Sequence, residues 1–229
     1  STGDVINCTT EDLKNDALSG IQLLRKRFDK VGIIGHSEGG TIALMLAAEK
    51  KADFIVSLAG MAVSGRETLI WQNRISLAAS GIPSATVDSY CKALGEVFDA
   101  STAGTPIPPA SQYNLPAALA QNLTAVTMQL QLPYLKYFLT LDSRPLLGSI
   151  SCPVLALNGT KDMQVEYESN LDALRRGLPK NAKNKLEAIE GVNHLFQHCQ
   201  TGMTCEYRDI EETIDPKVLE KMQQWISDF

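Results

Sequence analysis

The chain has 229 residues, 44% hydrophobic and 21% charged, enough apolar material for one substantial core or for a core with a smaller lobe. A net charge of −5, with Lys and Arg scattered singly or in short groups such as RKR at 25–27, leaves no basic stripe for nucleic acid. No apolar run approaches the roughly 18 residues that a membrane span needs, and the opening STGDVINCTTEDL lacks a signal peptide's basic and apolar regions. The chain therefore reads as soluble; its compartment stays open, because any signal peptide would stand upstream of Ser1.

In chain order, Thr9 or Thr10 caps a predicted helix over 10–28, whose Leu13, Ala17, Ile21, Leu24 and Phe28 fall three or four apart on one stripe to be buried. Residues 31–35 are a short continuous apolar run, the mark of a strand covered on both faces. Residues 41–49, rich in Ala, Leu and Met, follow as helix, and 54–59 repeat the buried-strand signal. From 62 to 150 this alternation stops. Helix-like segments near 66–79, 84–98, 115–131 and 133–140 surround the Pro-rich GTPIPPASQYNLP, with no strand of buried character. Residues 153–157 are again a strand, 165–178 a helix and 186–189 a weaker strand. Asp215-Pro216 then opens a last helix, with Val218, Leu219, Met222, Trp225, Ile226 and Phe229 on one face. Strands alternating with helices predict an α/β fold, a mainly parallel sheet flanked by helices, from 1–61 and 151–229. An all-helical insertion occupies 62–150.

The five cysteines, an odd number at no metal-like spacing, read as free buried thiols; Cys199 and Cys205 are near enough in sequence to pair in an oxidising compartment. Asn-x-Thr sequons at Asn7, Asn122 and Asn158 decide nothing.

Gly35-His36-Ser37-Glu38-Gly39 is a G-x-S-x-G pattern with the strand before it and the helix after it. That context favours a sharp turn that thrusts Ser37 above the sheet edge, the glycines two residues either side letting the chain approach itself without a Cβ clash. A plain Gly-rich helix entry capped by Ser37 is the bland alternative. A serine hydroxyl needs a base to take its proton, and the base needs an orienting carboxylate. Of three histidines, His36 lies beside Ser37 with its side chain expected to point away, as a structural or pocket-lining residue. His194, in EGVNHLFQ just past a strand, is the candidate base. His198 would share a helical face with His194, but an H-x-x-x-H pair lacking the Glu of H-E-x-x-H and a third ligand makes a poor metal site, so no metal or cofactor is expected. Asp162, in NGTKDMQV after the 153–157 strand, is the candidate acid, with Glu166 and Asp142 as weaker substitutes.

GHSEGG, CPVLALNGTKDMQV and GVNHLFQ resemble the bacterial alpha/beta hydrolases of the serine esterase and peptidase-like group, which carry a helical lid between the sixth and seventh strands. The resemblance implies nucleophile Ser37, acid Asp162, base His194 and an oxyanion donor from the Glu38 backbone N–H. YFLTLDSRPLLGSISCPVLALNG is similar to that family's return from lid to sheet, which puts Tyr134, Tyr137 and Phe138 near the pocket. The expected activity is hydrolysis of small carboxylic esters through an acyl-enzyme. Thioesterase or peptidase chemistry with the same triad, or a noncatalytic hydrolase-like binding domain, are the alternatives, and the expected partner is a small-molecule ester or acyl substrate. STGDV resembles the tail of the loop after that family's fourth strand, so about four N-terminal strands are expected to be missing. On that expectation a second oxyanion donor is lost, at roughly 2.7–4 kcal/mol, the nucleophile strand becomes an edge, and the chain is weakly active and self-associates through that edge.

Overall fold

A computed structural model describes residues 6–229; the expectation for STGDV lies outside the described residues. The elements are α1 (Thr10–Leu24), β1 (Gly32–His36), α2 (Glu38–Ala48), β2 (Phe54–Leu58), α3 (Gly65–Ala79), α4 (Ser84–Ala103), α5 (Ala117–Gln129), α6 (Pro133–Thr140), α7 (Arg144–Leu147), β3 (Val154–Gly159), α8 (Tyr167–Gly177), β4 (Lys185–Ile189) and α9 (Pro216–Ile226). They form two compact units. One comprises 64–141 with the chain up to Leu13, and the other comprises 14–63 with 142–229.

The second unit holds a four-stranded, all-parallel sheet in the order β1-β2-β3-β4, with Ile34 opposite Val56, Ser57 opposite Ala156 and Leu157 opposite Glu187. Side chains alternate across it, as the two-residue period of a strand requires. Ile55, Val154 and Ala156 pack with Ala43, Leu44 and Ala47 of α2, Leu147 of α7, and Leu171 and Leu174 of α8. On the opposite face Val56, Leu58, Leu155 and Leu157 pack with Phe196 and with Val218 and Trp225 of α9. β3 is buried along its whole length, which is why its sequence is continuously apolar rather than alternating. β1 is an edge: Ile33 packs against the first cluster, while Ile34 faces the other way and is 54% exposed. No described strand pairs with the outer side of β1.

The other unit is helical. Val87, Tyr90, Leu94, Val97 and Phe98 of α4 meet Leu119 and Leu123 of α5 and Leu139 of α6. Ser64 and Glu67 cap α3 reciprocally, and α4 stops at Gly104, whose φ of 68° places it in the left-handed region that glycine adopts freely.

Three details depart from the sequence expectations. The predicted 10–28 helix ends at Leu24, so the apolar period runs past the helix; Leu24 and Phe28 are exposed, and the buried strip instead takes in Lys14, whose ammonium pairs with Glu49 at 2.6 Å. Leu219 is exposed because it is one residue, about 100° of helix turn, from the Val218 position that faces the core. α7, four residues long, is too short to show a period, yet its Leu147 is fully buried. No disulfide joins any of the five cysteines among the described residues, and Cys205 is exposed. No helix among the described residues is long and apolar enough to cross a membrane.

Candidate active site

β1 ends with its last ladder bond at Ser37, whose N–H donates to the Leu58 carbonyl at 2.8 Å, and α2 begins at once, with Gly40 N–H donating to the Ser37 carbonyl at 2.9 Å. One residue therefore joins the two elements. It adopts φ 55° and ψ −122°, a conformation that side-chain-bearing residues seldom take and that costs on the order of 1–3 kcal/mol. Its hydroxyl makes no capping bond to the helix, which removes the bland reading of Ser37 as a cap.

Only one of the two glycines that the pattern suggests is needed for this turn. A Cβ on Gly35 would lie 2.0 Å from the Gly39 carbonyl oxygen, and one on Gly40 would lie 2.7 Å from Gly60 Cα. A Cβ on Gly39 would meet nothing within 4 Å. The close approach falls at Gly35 and Gly40 because the helix folds back over the strand through its second and third residues.

Asp162 and His194 come together although 32 residues separate them: Asp162 Oδ2 lies 2.8 Å from His194 Nδ1, and both side chains are almost completely buried. The other carboxylate oxygen accepts the N–H groups of Gln164 (2.7 Å) and Val165 (2.9 Å), which fixes the plane of the acid. An ionised carboxylate only accepts, so the shared proton is on Nδ1 and the neutral imidazole keeps a lone pair on Nε2. That is the tautomer a general base needs.

The loop that carries His194 is built locally. Asn193, fully buried, accepts N–H bonds from Leu195 and Gln197 through its side-chain oxygen and donates to the Gln197 side chain. Lys161, next to Asp162, donates to the carbonyls of Cys199 and Gln200, while Gln164 donates to the Tyr207 hydroxyl. These anchors tie the segment after His194 to the loop that holds Asp162.

His36 does more than line a pocket. Although much of the residue is exposed, its inner edge is not: Nε2 donates to the His194 carbonyl at 2.8 Å, and the two rings lie 4.7 Å apart. Burial of that edge pushes the imidazole below its ordinary value, opposed by the bond to the His194 carbonyl. Because His36 and Ser37 are covalent neighbours, this contact brings the Ser37 turn and the His194 loop into one region. Sequence reasoning missed this clamp, since a bond to a backbone carbonyl 158 residues away leaves no pattern in the chain.

Of the other expected site residues, Glu38 is the first residue of α2, and Tyr134, Tyr137 and Phe138 lie on α6 of the helical unit. There the Tyr134 and Phe138 rings stack at 6.1 Å, and the Tyr137 hydroxyl donates to Glu11 at 3.1 Å. Asp142 pairs with Arg144 at 2.6 Å and is not on His194.

The family model of the alpha/beta hydrolase fold matches residues 6–198. The chain belongs to this family. No curated protein matches the chain, but solved alpha/beta hydrolases share its fold at low identity. A structure from work on the metagenome-derived lipolytic enzymes LipS and LipT is 16% identical, with 97% of this chain matched to 75% of that one at a TM-score of 0.55. A structure from work on the carboxylesterases of Nitrososphaera gargenis is 18% identical, covering 100% of this chain and 77% of that one at a TM-score of 0.52. The putative non-heme bromoperoxidase BpoC of Mycobacterium tuberculosis is 16% identical, covering 96% and 75% at a TM-score of 0.51. The last of these names shows that this alpha/beta hydrolase shares its scaffold with proteins named for different chemistries, so its own reaction has to be argued from its site.

Proposed function

We propose that this alpha/beta hydrolase is a serine hydrolase that cleaves small carboxylic esters, with Ser37 as nucleophile, His194 as base and Asp162 as its orienting acid. The observation that carries the reading is the buried 2.8 Å bond between Asp162 and His194 Nδ1, which leaves Nε2 as the basic nitrogen. The strained backbone at Ser37 supports it, because a residue held in a costly conformation is a common mark of function.

In this scheme Ser37 Oγ attacks the ester carbonyl carbon as His194 Nε2 takes its proton. The resulting imidazolium is stabilised by Asp162, and the Glu38 N–H donates to the oxyanion. Collapse breaks the bond to the alcohol oxygen, which leaves with the proton from His194. Water then attacks the acyl-enzyme by the same route in reverse, releasing the acid and restoring the serine. The chemistry calls for no cofactor or metal. On this reading the helical unit serves as a cap, with Tyr134, Tyr137 and Phe138 the candidates for selecting the acyl group. The outer side of β1, with Ile34 beside it, supports self-association through that edge, and sedimentation showing a monomer at every concentration removes that part of the reading.

A fluorophosphonate probe tests the nucleophile: labelling at Ser37 that disappears in Ser37→Ala is expected, and an unlabelled, folded wild type refutes the proposal. A panel of p-nitrophenyl esters, acyl-thioesters and aminoacyl amides then separates ester from thioester and peptide hydrolysis.

A further inference from the structure

Apart from the Ser37, Asp162 and His194 group, His198, Glu212 and Asp215 each offer a donor atom, and the three atoms lie within 4.8 Å of one another. The segment before α9 is laced to the base loop by its backbone: Asp215 N–H donates to the Phe196 carbonyl at 2.8 Å, and the Gln197 side chain donates to the Glu212 carbonyl at 2.8 Å. The cluster is therefore held by rigid neighbours on both sides.

Its electrostatics are incomplete. Glu212 accepts both the His198 backbone N–H (2.7 Å) and His198 Nδ1 (3.0 Å), so Nδ1 carries a hydrogen and a neutral ring presents its lone pair on Nε2. Nε2 lies 3.7 Å from Asp215 Oδ2. Asp215 is a buried carboxylate with its side chain only 5% exposed; Oδ1 caps α9 by accepting the Lys217 N–H at 2.9 Å, whereas Oδ2 accepts no hydrogen bond among the described residues. With the ring neutral, the Nε2 lone pair and a carboxylate oxygen face each other at a distance too long for a hydrogen bond. It is close to the separation of about 3.4 Å between two ligands that share a tetrahedral cation at roughly 2.1 Å.

We propose that His198 Nε2 and Asp215 Oδ2 bind a divalent cation of the zinc type, with Glu212 orienting the imidazole through Nδ1. Imidazole with carboxylates is a donor set that zinc accepts, whereas magnesium and calcium favour oxygen alone. A carboxylate on the far ring nitrogen is the usual support of a metal-binding histidine. Solvent reaches His198 through an open cleft of about 520 Å³ that Cys199, Glu206 and Asp209 also line, and the two carboxylates there add to the attraction for a cation. The sequence hides the site because its residues are spaced 14 and 3 apart, which matches no regular motif.

The test is calorimetric titration of the chelator-stripped chain with zinc near pH 8, where an ordinary imidazole is neutral. One equivalent is expected to bind wild type and Cys199→Ser alike. Affinity should fall by about 10- to 100-fold in Glu212→Gln and by at least as much in His198→Ala. Circular dichroism of the stripped variants checks the fold, and the exposed His198 can be truncated without opening the core. Absence of zinc binding by wild type, meaning that only a proton fills the gap, overturns the proposal. Unchanged binding by a folded His198→Ala does the same.

Discussion

Gly35→Ala and Gly39→Ala, the two glycines of one short motif, should move stability in opposite directions. A methyl at Gly35 sits 2.0 Å from the Gly39 oxygen, 2.3 Å from its carbonyl carbon and 2.7 Å from the Gly40 nitrogen. All three obstacles are backbone of the first turn of α2, so relief means lifting the helix from the strand by more than about 1 Å. Overpacking typically costs about 1–3 kcal/mol, and an obstacle that cannot rotate away places this case at about 3 kcal/mol. A chain of this size loses about 2–4 °C of Tm per kcal/mol, so Gly35→Ala should melt about 6–12 °C lower. At Gly39 the methyl enters open space, within a helix and without a positive φ, so the exchange gains up to about 1 kcal/mol of helix propensity. Thermal unfolding followed at 222 nm, with urea midpoints as a check, gives the comparison. If Gly35→Ala melts within about 1 °C of wild type, or if Gly39→Ala falls as far as Gly35→Ala, the account of this turn is wrong.

The strain at Ser37 predicts that Ser37→Gly is more stable than Ser37→Ala by about 1 kcal/mol, since relief of about 1–3 kcal/mol outweighs glycine's entropic cost of about 0.5–1 kcal/mol; equal Tm values would mean the turn stores no strain. Tyr90 is fully buried, its hydroxyl has no hydrogen-bond partner among the described residues, and burial pushes that phenol up to about 12. Tyr90→Phe should therefore raise Tm or leave it unchanged, because no hydrogen bond is lost and an unpaired polar group is removed; a fall of more than about 2 °C would show a partner for that hydroxyl. His36 has a lowered folded pKa, so its neutral form contributes stability above the unfolded value near 6.5 that is lost as pH falls through the folded value. Tm plotted against pH should drop more steeply below about pH 6.5 in wild type than in His36→Gln, whose amide keeps a donor for the His194 carbonyl; parallel curves would remove His36 as an acid-sensitive contact.

The strand and helix order was readable because parallel strands covered on both faces become short, unbroken apolar runs. β3 shows this most clearly, being buried at every position. Ser37, Asp162 and His194 stood out as candidates for a related reason: each residue follows a strand, where a parallel sheet gathers its loops. What stayed hidden depends on distance rather than pattern. The apolar period of α1 continues through Phe28, although the backbone leaves the helix after Leu24, so periodicity alone overstates burial. The clamp from His36 to the His194 carbonyl, the Asn193 turn and the His198 cluster are contacts of single residues with backbone or with partners at irregular spacing.

Contacts of this kind bear on Asp162 and His194 more directly than the motif does. The geometry between Asp162 and His194 is set where β3 ends against the base loop: Lys161 N–H donates to the Val192 carbonyl at 3.0 Å, and a Cβ on Gly159 would lie 2.2 Å from that same oxygen. Gly202, at φ 79°, lets the following loop close to a similar distance on the Lys161 carbonyl, where a Cβ would lie 1.9 Å from the oxygen. Backbone meets backbone on both sides of Asp162, with no side chain between to adjust. A carboxylate and an imidazole suspended from such contacts are held at hydrogen-bond distance by the fold itself, and in the proposed reaction such a base would need no reorganisation when a substrate binds.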